Sequence, residues 1–456
     1  MMSTRLQEIV FAGTSRLTDV APVWGARLLD ATIRPVAGSR ALSALFARRN
    51  RGVLRRVGRF RRFLVVPDVH IGDAVMTQSA LAALRDFFPD AEIDYAINRA
   101  VAPVIEGNPD ATRVLPSFSG AHLPTAEDLE VLRDIIHDGR YDLCLSFGPF
   151  VAPDQLVGRA QPFVSFMTHA PTIVRNETDT TEINHFSYQY YRFVRGLLAT
   201  VARPVRGDAY PGVRTTYSDE AIGLASGFAA AAGLSSRSAV IMVNPDSACR
   251  FNLLPFGDQA GLIERLAEVT ADDTVILLGA GHSVKGIGAR LVASVAPHRR
   301  AKLRIIPPTL PLDAYAALID FADVFITGDT GPLHLAAARR YSRSGRHRFR
   351  NRTAVLSLFG ATVPRMSGYD SDQPGYLPAN QDAPSWCRQA DSRCRNITCL
   401  NKYFKTCRTV RCFERIDVAD LADLVASHLG ALARHRLARC ASDRVLASAL
   451  REPARA

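Results

Sequence analysis

The sequence predicts two parallel α/β domains, each a doubly wound Rossmann-like sheet, facing one another across a cleft. Two series of buried-strand and helix signals lie at about 63–147 and 239–359, and a turn-rich, small-residue stretch parts them. A chain of 456 residues is also long for one hydrophobic core and suits two. With 47% apolar and 22% charged residues the composition is that of an ordinary globular protein, and no apolar run reaches the length that spans a bilayer.

Residues 1–60 read as a basic helical extension, with apolar residues at helical spacing through Leu6, Ile9 and Val10 and again through Trp24, Leu28, Leu29 and Ile33. The first domain, 61–215, opens on Phe63-Leu64-Val65-Val66-Pro67, an unbroken apolar run suited to a strand buried on both faces. A turn over Asp68 to Asp73 follows, then a helix from about Ala74 that Phe88-Pro89-Asp90 ends, then a strand over 92–97. Strand, helix and strand within some thirty-five residues make a βαβ unit, so this sheet is parallel. Tyr141 to Phe147 supplies a further buried strand, and the linker lies within 207–238.

The second domain, 216–425, starts the alternation afresh. Strands are expected at 239–244, 274–278, 303–306, 324–327 and 354–359, with helices near 259–269, 286–295 and 312–321 and from about Pro332. A helical tail, 426–456, completes the chain. Two such domains place a ligand cleft between the carboxyl ends of their sheets.

Charge and cysteine usage narrow the partners. Lys and Arg exceed Asp and Glu by 56 to 44, and the excess is clustered at Arg48, Arg49, Arg51, Arg55, Arg56, Arg59, Arg61 and Arg62 and again over 339–352. Such clusters suit an anionic lipid surface, at about 1 kcal/mol per basic residue. They suit nucleic acid on charge alone, or are simply solvated. The start MMSTRLQEIVFAG lacks the apolar core and cleavage site of an export signal, so a cytoplasmic protein is expected. Eight cysteines in a reducing compartment point away from a disulfide framework. Five of them, Cys387, Cys394, Cys399, Cys407 and Cys412, cluster without a CxxC pair, which makes a zinc ribbon a poor fit and leaves a structural metal or plain buried thiols.

Two turns could carry chemistry. In Thr327-Gly328-Asp329-Thr330-Gly331-Pro332-Leu333-His334 a strand passes through small residues into a helix. Thr330 suits the cap, Gly331 permits close backbone approach and Pro332 suits the first turn, so amides and helix dipole would face an anion such as a diphosphate. His334 is a further candidate contact, or a histidine that bonds only its own turn. In Pro67-Asp68-Val69-His70-Ile71-Gly72-Asp73-Ala74, Asp73 stands where strand meets helix, and a carboxylate there can take the proton of an attacking hydroxyl. Its bland reading is a helix cap. Gly279-Ala280-Gly281-His282-Ser283-Val284 starts like a dinucleotide fingerprint, but Val284 replaces the third glycine, which disfavours a nicotinamide enzyme. That turn could still receive part of a nucleotide. The aromatic group Phe186, Tyr188, Tyr190, Tyr191 and Phe193 is core in preference to an acceptor groove.

Taken in order, Gly72-Asp73, Phe88-Pro89-Asp90-Ala91-Glu92-Ile93, Ile105-Glu106-Gly107-Asn108-Pro109, Asp329-Thr330-Gly331-Pro332-Leu333-His334 and Leu358-Phe359-Gly360 resemble glycosyltransferase family 9, the ADP-heptose:lipopolysaccharide heptosyltransferases. The resemblance covers about 61–425. It implies the GT-B fold and inverting transfer of a heptose, or a related sugar, from an ADP-sugar to a lipopolysaccharide-core or similar acceptor, with no cofactor or metal required. Its base falls on Asp73, flanked by Gly72 and His70 on the acceptor side, and its diphosphate turn on Asp329 to His334. The leaving diphosphate would be met by backbone N–H groups and a basic side chain. Family members commonly carry a lysine early in the second domain; here Asn244 to Pro255 has none, and Arg250 is the substitute candidate, with Gly279 a further donor contact. The basic stretch 339–352 and the N-terminal extension depart from the pattern. That stretch is expected to contact phosphorylated glycolipid or to be a solvated loop.

The resulting expectation is an enzyme held on the cytoplasmic face of the inner membrane by its basic surface. A nucleotide sugar, a lipid-linked saccharide and an anionic membrane are its partners, and nucleic acid is not. Relatives that bind iron through cysteines leave a structural metal at the cysteine cluster open. Rival readings are a protein O-heptosyltransferase, a sugar-nucleotide epimerase on the same fold, and a nucleic-acid-binding protein recruited by the arginines, which would leave both turns unexplained.

Overall fold

The computed structural model describes residues 40–68, 70–119, 125–148, 162–166, 182–205, 207–235, 238–247, 249–360, 362–390, 411–413 and 416–449. The helices expected before residue 40 lie outside the described residues, as do Cys394, Cys399 and Cys407.

Helix α1 (Arg40–Leu54) leads into β1 (Arg62–Val66), α2 (Ile71–Phe87), β2 (Glu92–Asn98), α3 (Ala102–Ile105), β3 (Arg113–Phe118), α4 (Ala126–Gly139), β4 (Leu143–Ser146), β5 (Phe163–Ser165) and α5 (Phe186–Leu198). Next come β6 (Arg214–Tyr217) and α6 (Asp219–Ala231), then β7 (Val240–Val243), α7 (Phe256–Val269), β8 (Val275–Gly279), α8 (Ile287–Ser294), β9 (Leu303–Ile306), α9 (Leu312–Leu318), β10 (Val324–Gly328) and α10 (Gly331–Ala337). The chain continues with β11 (Arg339–Ser342), β12 (Ala354–Phe359), α11 (Pro364–Ser367), β13 (Ser385–Gln389) and α12 (Val418–Ala449), so the boundary expected at 425 falls inside a continuous helix.

Among the described residues two large parallel sheets result, as the two strand series predicted, beside a two-stranded pair of β6 and β11. The first runs β3-β2-β1-β4-β5, with Val65 opposite Tyr95 and Leu145; the second runs β13-β12-β10-β7-β8-β9, with Ile326 opposite Val243 and Leu356. The central strands are apolar throughout because helices cover both faces: Phe63 to Val66 and Val324 to Phe325 are wholly buried. Strand order reverses between β1 and β4 in one sheet and between β7 and β10 in the other. Doubly wound folds open a crevice at those points, so the turns after β1 and β10 stand where ligands bind.

Strands β3 and β13 escaped the sequence reading because they are edges, with weak patterns: β3 carries Pro116, and β13 mixes Trp386 and Cys387 with Arg388 and Gln389. The basic stretch 339–352 is a larger correction. It is not a loop throughout, since it begins with β11, which pairs in parallel with β6 from the linker, while 343–352 carries no helix or strand. Arg339 ion-pairs Asp382, Arg343 pairs Glu106 of the first domain, Arg346 pairs Asp219 and Arg350 pairs Asp323.

Arg340 is wholly buried, and its guanidinium donates to the carbonyls of Leu335 and Ala336 at 3.4 and 3.2 Å, capping the carboxyl end of α10 near Asp320. Burial depresses its pKa, and Tyr217 and Asp320 oppose the shift. Replacing it by methionine keeps much of the volume but orphans these acceptors. Arg340→Met should therefore destabilise the second domain by about 3 kcal/mol, read as a lower urea midpoint.

The N-terminal basic cluster is placed differently. Arg48, Arg49, Arg51, Arg55, Arg56, Arg59 and Arg61 are exposed on and after α1, while Arg62 pairs with Glu92. Among the described residues no helix is long and apolar enough to cross a membrane.

Candidate active site

Asp73 lies within the first turn of α2, three residues past the N-cap residue, which is His70. That position removes the simplest alternative for Asp73, a side chain serving as N-cap. The carboxylate is about a third exposed, and its Oδ2 lies 3.8 Å from His70 Nδ1, which is itself 3.6 Å from Asp68 Oδ1. Ligand atoms of these three residues all lie within 4.8 Å of one another, so they are the described residues best placed to hold a cation. From below, the buried Tyr95 on β2 donates to the Ala74 carbonyl at 2.6 Å and steadies the turn. Burial, with a smaller push from Asp73, keeps this phenol protonated. Asn108 of the Glu106-Gly107-Asn108 segment donates to Gln78 on α2 at 2.5 Å, so it serves the scaffold of the same helix.

The second turn leaves β10 at Gly328. A β-carbon there would overlap the Asn252 carbonyl, so only glycine lets the chain pass. Asn244, after β7, donates to Thr327 Oγ1 at 3.0 Å and Thr330 Oγ1 at 3.3 Å; Asn252 donates to the Asp329 carbonyl at 2.5 Å. Ser367 Oγ donates to Asp329 Oδ1 at 3.0 Å. Asp329, Gly331 and Pro332 remain partly exposed. Thr330 holds the N-cap position of α10, as expected, in extended backbone. Its hydroxyl faces Thr327 at 3.0 Å, and its side chain makes no capping bond.

The two turns meet. A β-carbon on Gly331 would come 2.7 Å from Ile71 Cβ and 3.5 Å from the Gly72 nitrogen, so the start of α10 rests on the start of α2. The candidate donor turn and the candidate base turn are thus adjacent across the domain interface.

Other expected site residues are placed differently. His334 is buried, with Nδ1 3.0 Å from the Tyr369 hydroxyl, and it neither bonds only its own turn nor faces an open cleft. Gly279 ends β8, and the amides that follow it are already used: the Asp246 carboxylate accepts from His282, Ser283 and Val284 at 2.6, 2.7 and 3.0 Å. A nucleotide phosphate seated on that turn would have to displace a charge of its own sign. Arg250 falls in the short helical turn Arg250–Asn252, and its side chain lies outside the described residues. Tyr190, Tyr191 and Phe193 are core, as expected. Cys387 on β13 and Cys412 are buried. Asn244, Asn252, Ser367 and Tyr369 were not singled out from sequence. For Asn244, the carboxyl end of a central strand was the available signal.

Two buried imidazoles give the site an acid-sensitive foundation. Desolvation lowers His334 to about 4, against a weaker opposing pull from Asp329, and lowers His185 to about 3, with His334 adding to the shift. Both are neutral in the folded protein near pH 7, and in the unfolded chain they take up protons near pH 6.5. Their contribution to stability is present above pH 6.5 and is lost as pH falls toward 4. The melting temperature should fall across that window, and a flat profile would contradict the burial of both rings.

Known structures agree with this architecture. A family 9 glycosyl transferase from Veillonella parvula matches with a TM-score of 0.59 at 18% identity, over 81% of this chain and 97% of that one. The E. coli ADP-heptose lps heptosyltransferase II matches with a TM-score of 0.54 at 17% identity, over 82% and 99%. No curated protein matches the sequence. The fold is the two-domain GT-B arrangement, and the chain is a glycosyltransferase. Residues 260–368, which include the whole Gly328–His334 turn, match the model of glycosyltransferase family 9 (heptosyltransferase).

Proposed function

We propose that the protein transfers a heptose from an ADP-sugar to a saccharide acceptor with inversion, using Asp73 as general base. The apposition of the Gly72-Asp73 turn and the Asp329–His334 turn carries this reading, because it sets a partly exposed carboxylate from one domain beside the donor turn of the other. The match to the heptosyltransferase family supports the sugar, and the likeness to the E. coli ADP-heptose lps heptosyltransferase II supports ADP.

The acceptor hydroxyl enters from the first domain and gives its proton to Asp73 Oδ2 as it attacks the anomeric carbon. The bond to the diphosphate breaks on the opposite face, and backbone amides near Gly331, with a basic side chain for which Arg250 is the candidate, receive the charge. Asp329, a carboxylate, suits sugar hydroxyls better than phosphate oxygens. His70, between Asp68 and Asp73, tunes the base.

A lipid-linked core saccharide on the cytoplasmic face of the inner membrane is the acceptor we favour, because the exposed arginines on and after α1 suit an anionic bilayer. An assay with purified ADP-heptose and core acceptor tests the whole reading. Transfer to a protein but not to core lipid would reassign the acceptor, and conversion of the donor alone to an epimer would replace the reading altogether.

A further inference from the structure

The glycine before the base and the histidine of the donor turn explain one another. A β-carbon at Gly72 would stand 2.5 Å from His334 Cδ2 and 3.0 Å from Nε2, so the imidazole edge lies directly on the Gly72 backbone. The ring is braced from behind by the Tyr369 hydroxyl, 3.0 Å from Nδ1. Tyr369 is itself wholly buried, and the ring of His185 from the first domain packs against it with centroids 4.6 Å apart. His185 caps α5 by accepting from the Ser187 amide at 3.2 Å, and α5 is tied to α2 where Ser187 Oγ donates to the Met76 carbonyl at 3.0 Å. Two rings of the second domain are therefore held between two elements of the first, Gly72 on α2 and His185 at the start of α5.

We infer that His334, braced by Tyr369, is a positioning residue that holds the Asp73 turn in register with the donor turn and makes no contact with the nucleotide. The inference rests on the proposed role of Asp73. A ring packed on the backbone one residue before the base controls where that carboxylate points, and a shift of about 1 Å at a reacting group can cost about 100-fold in rate. The assignment also gives Gly72 a reason: any side chain there would push the wedge out and part the two turns.

The test separates binding from turnover. ADP affinity is measured by calorimetry, and kcat by ADP release from ADP-heptose with a core-oligosaccharide acceptor, for His334→Ala, Tyr369→Phe, Gly72→Ala and the double variant Gly72→Ala/His334→Ala. Expected is an ADP Kd within about two-fold of wild type for His334→Ala and Tyr369→Phe, with kcat down by about ten-fold or more. In the double variant the truncated ring makes room for the new methyl group, so kcat should recover well above the product of the two single losses. A ten-fold rise in ADP Kd for His334→Ala at unchanged kcat would make His334 a donor contact and overturn the inference, as would strictly multiplicative losses. Tyr369→Phe keeps the ring and its volume, so it preserves the test if His334→Ala does not fold. Absence of turnover in the wild type would instead count against the proposed function.

Discussion

Asp73→Asn should leave ADP binding intact and lower transfer by roughly 100- to 10,000-fold, the range a positioned general base supplies. The substitution is close to isosteric, and the first turn of α2 is steadied elsewhere, by the Tyr95 bond to the Ala74 carbonyl. The helix should therefore persist while the proton acceptor is lost. Calorimetry with ADP and a single-turnover assay divide the outcome cleanly: turnover within a few-fold of wild type would remove Asp73 from the base role. Parallel loss of ADP binding would point to a structural carboxylate.

Gly331→Val is expected to act on the other half of the site. Its β-carbon would start 2.7 Å from Ile71 Cβ, and the added methyl groups would press further into the first turn of α2. Overpacking of this kind costs about 1–3 kcal/mol, and here the strain falls where the two domains touch. The start of α10 would be forced away from α2, carrying the donor turn with it. ADP affinity should fall by about ten-fold or more on that free-energy scale. Unchanged affinity would separate the turn from the donor diphosphate. The variant also differs from Asp73→Asn in kind, since it should weaken binding before it affects chemistry.

How much of the site was legible in sequence follows from where each interaction lies along the chain. Asp73 and the Gly328–His334 turn were found because each sits at the junction of a strongly patterned strand and helix, and local pattern marks such junctions. Their capping details were misjudged for a local reason. Thr330 takes the N-cap position but turns its hydroxyl to Thr327 and Asn244, and α2 begins at Ile71 rather than after Asp73. Asn252 and Tyr369 carry no such mark, for they act on residues 77 and 35 positions away.

The arginine stretch makes the same point about charge. Counting residues could only find a basic segment; burial of Arg340 and the pairing of β11 with β6 made that one arginine scaffold for α10.

By itself the sequence determined two doubly wound domains, the order of their principal strands and the two turns that face the cleft, because periodicity, buried apolar runs and small-residue turns are local properties. Only the tertiary structure decided that Gly331 rests on Ile71, that the imidazole of His334 needs a glycine at 72, and that Asp246 fills the turn after β8. Those are contacts between residues far apart in the chain, set by how helices and sheets of two domains pack together.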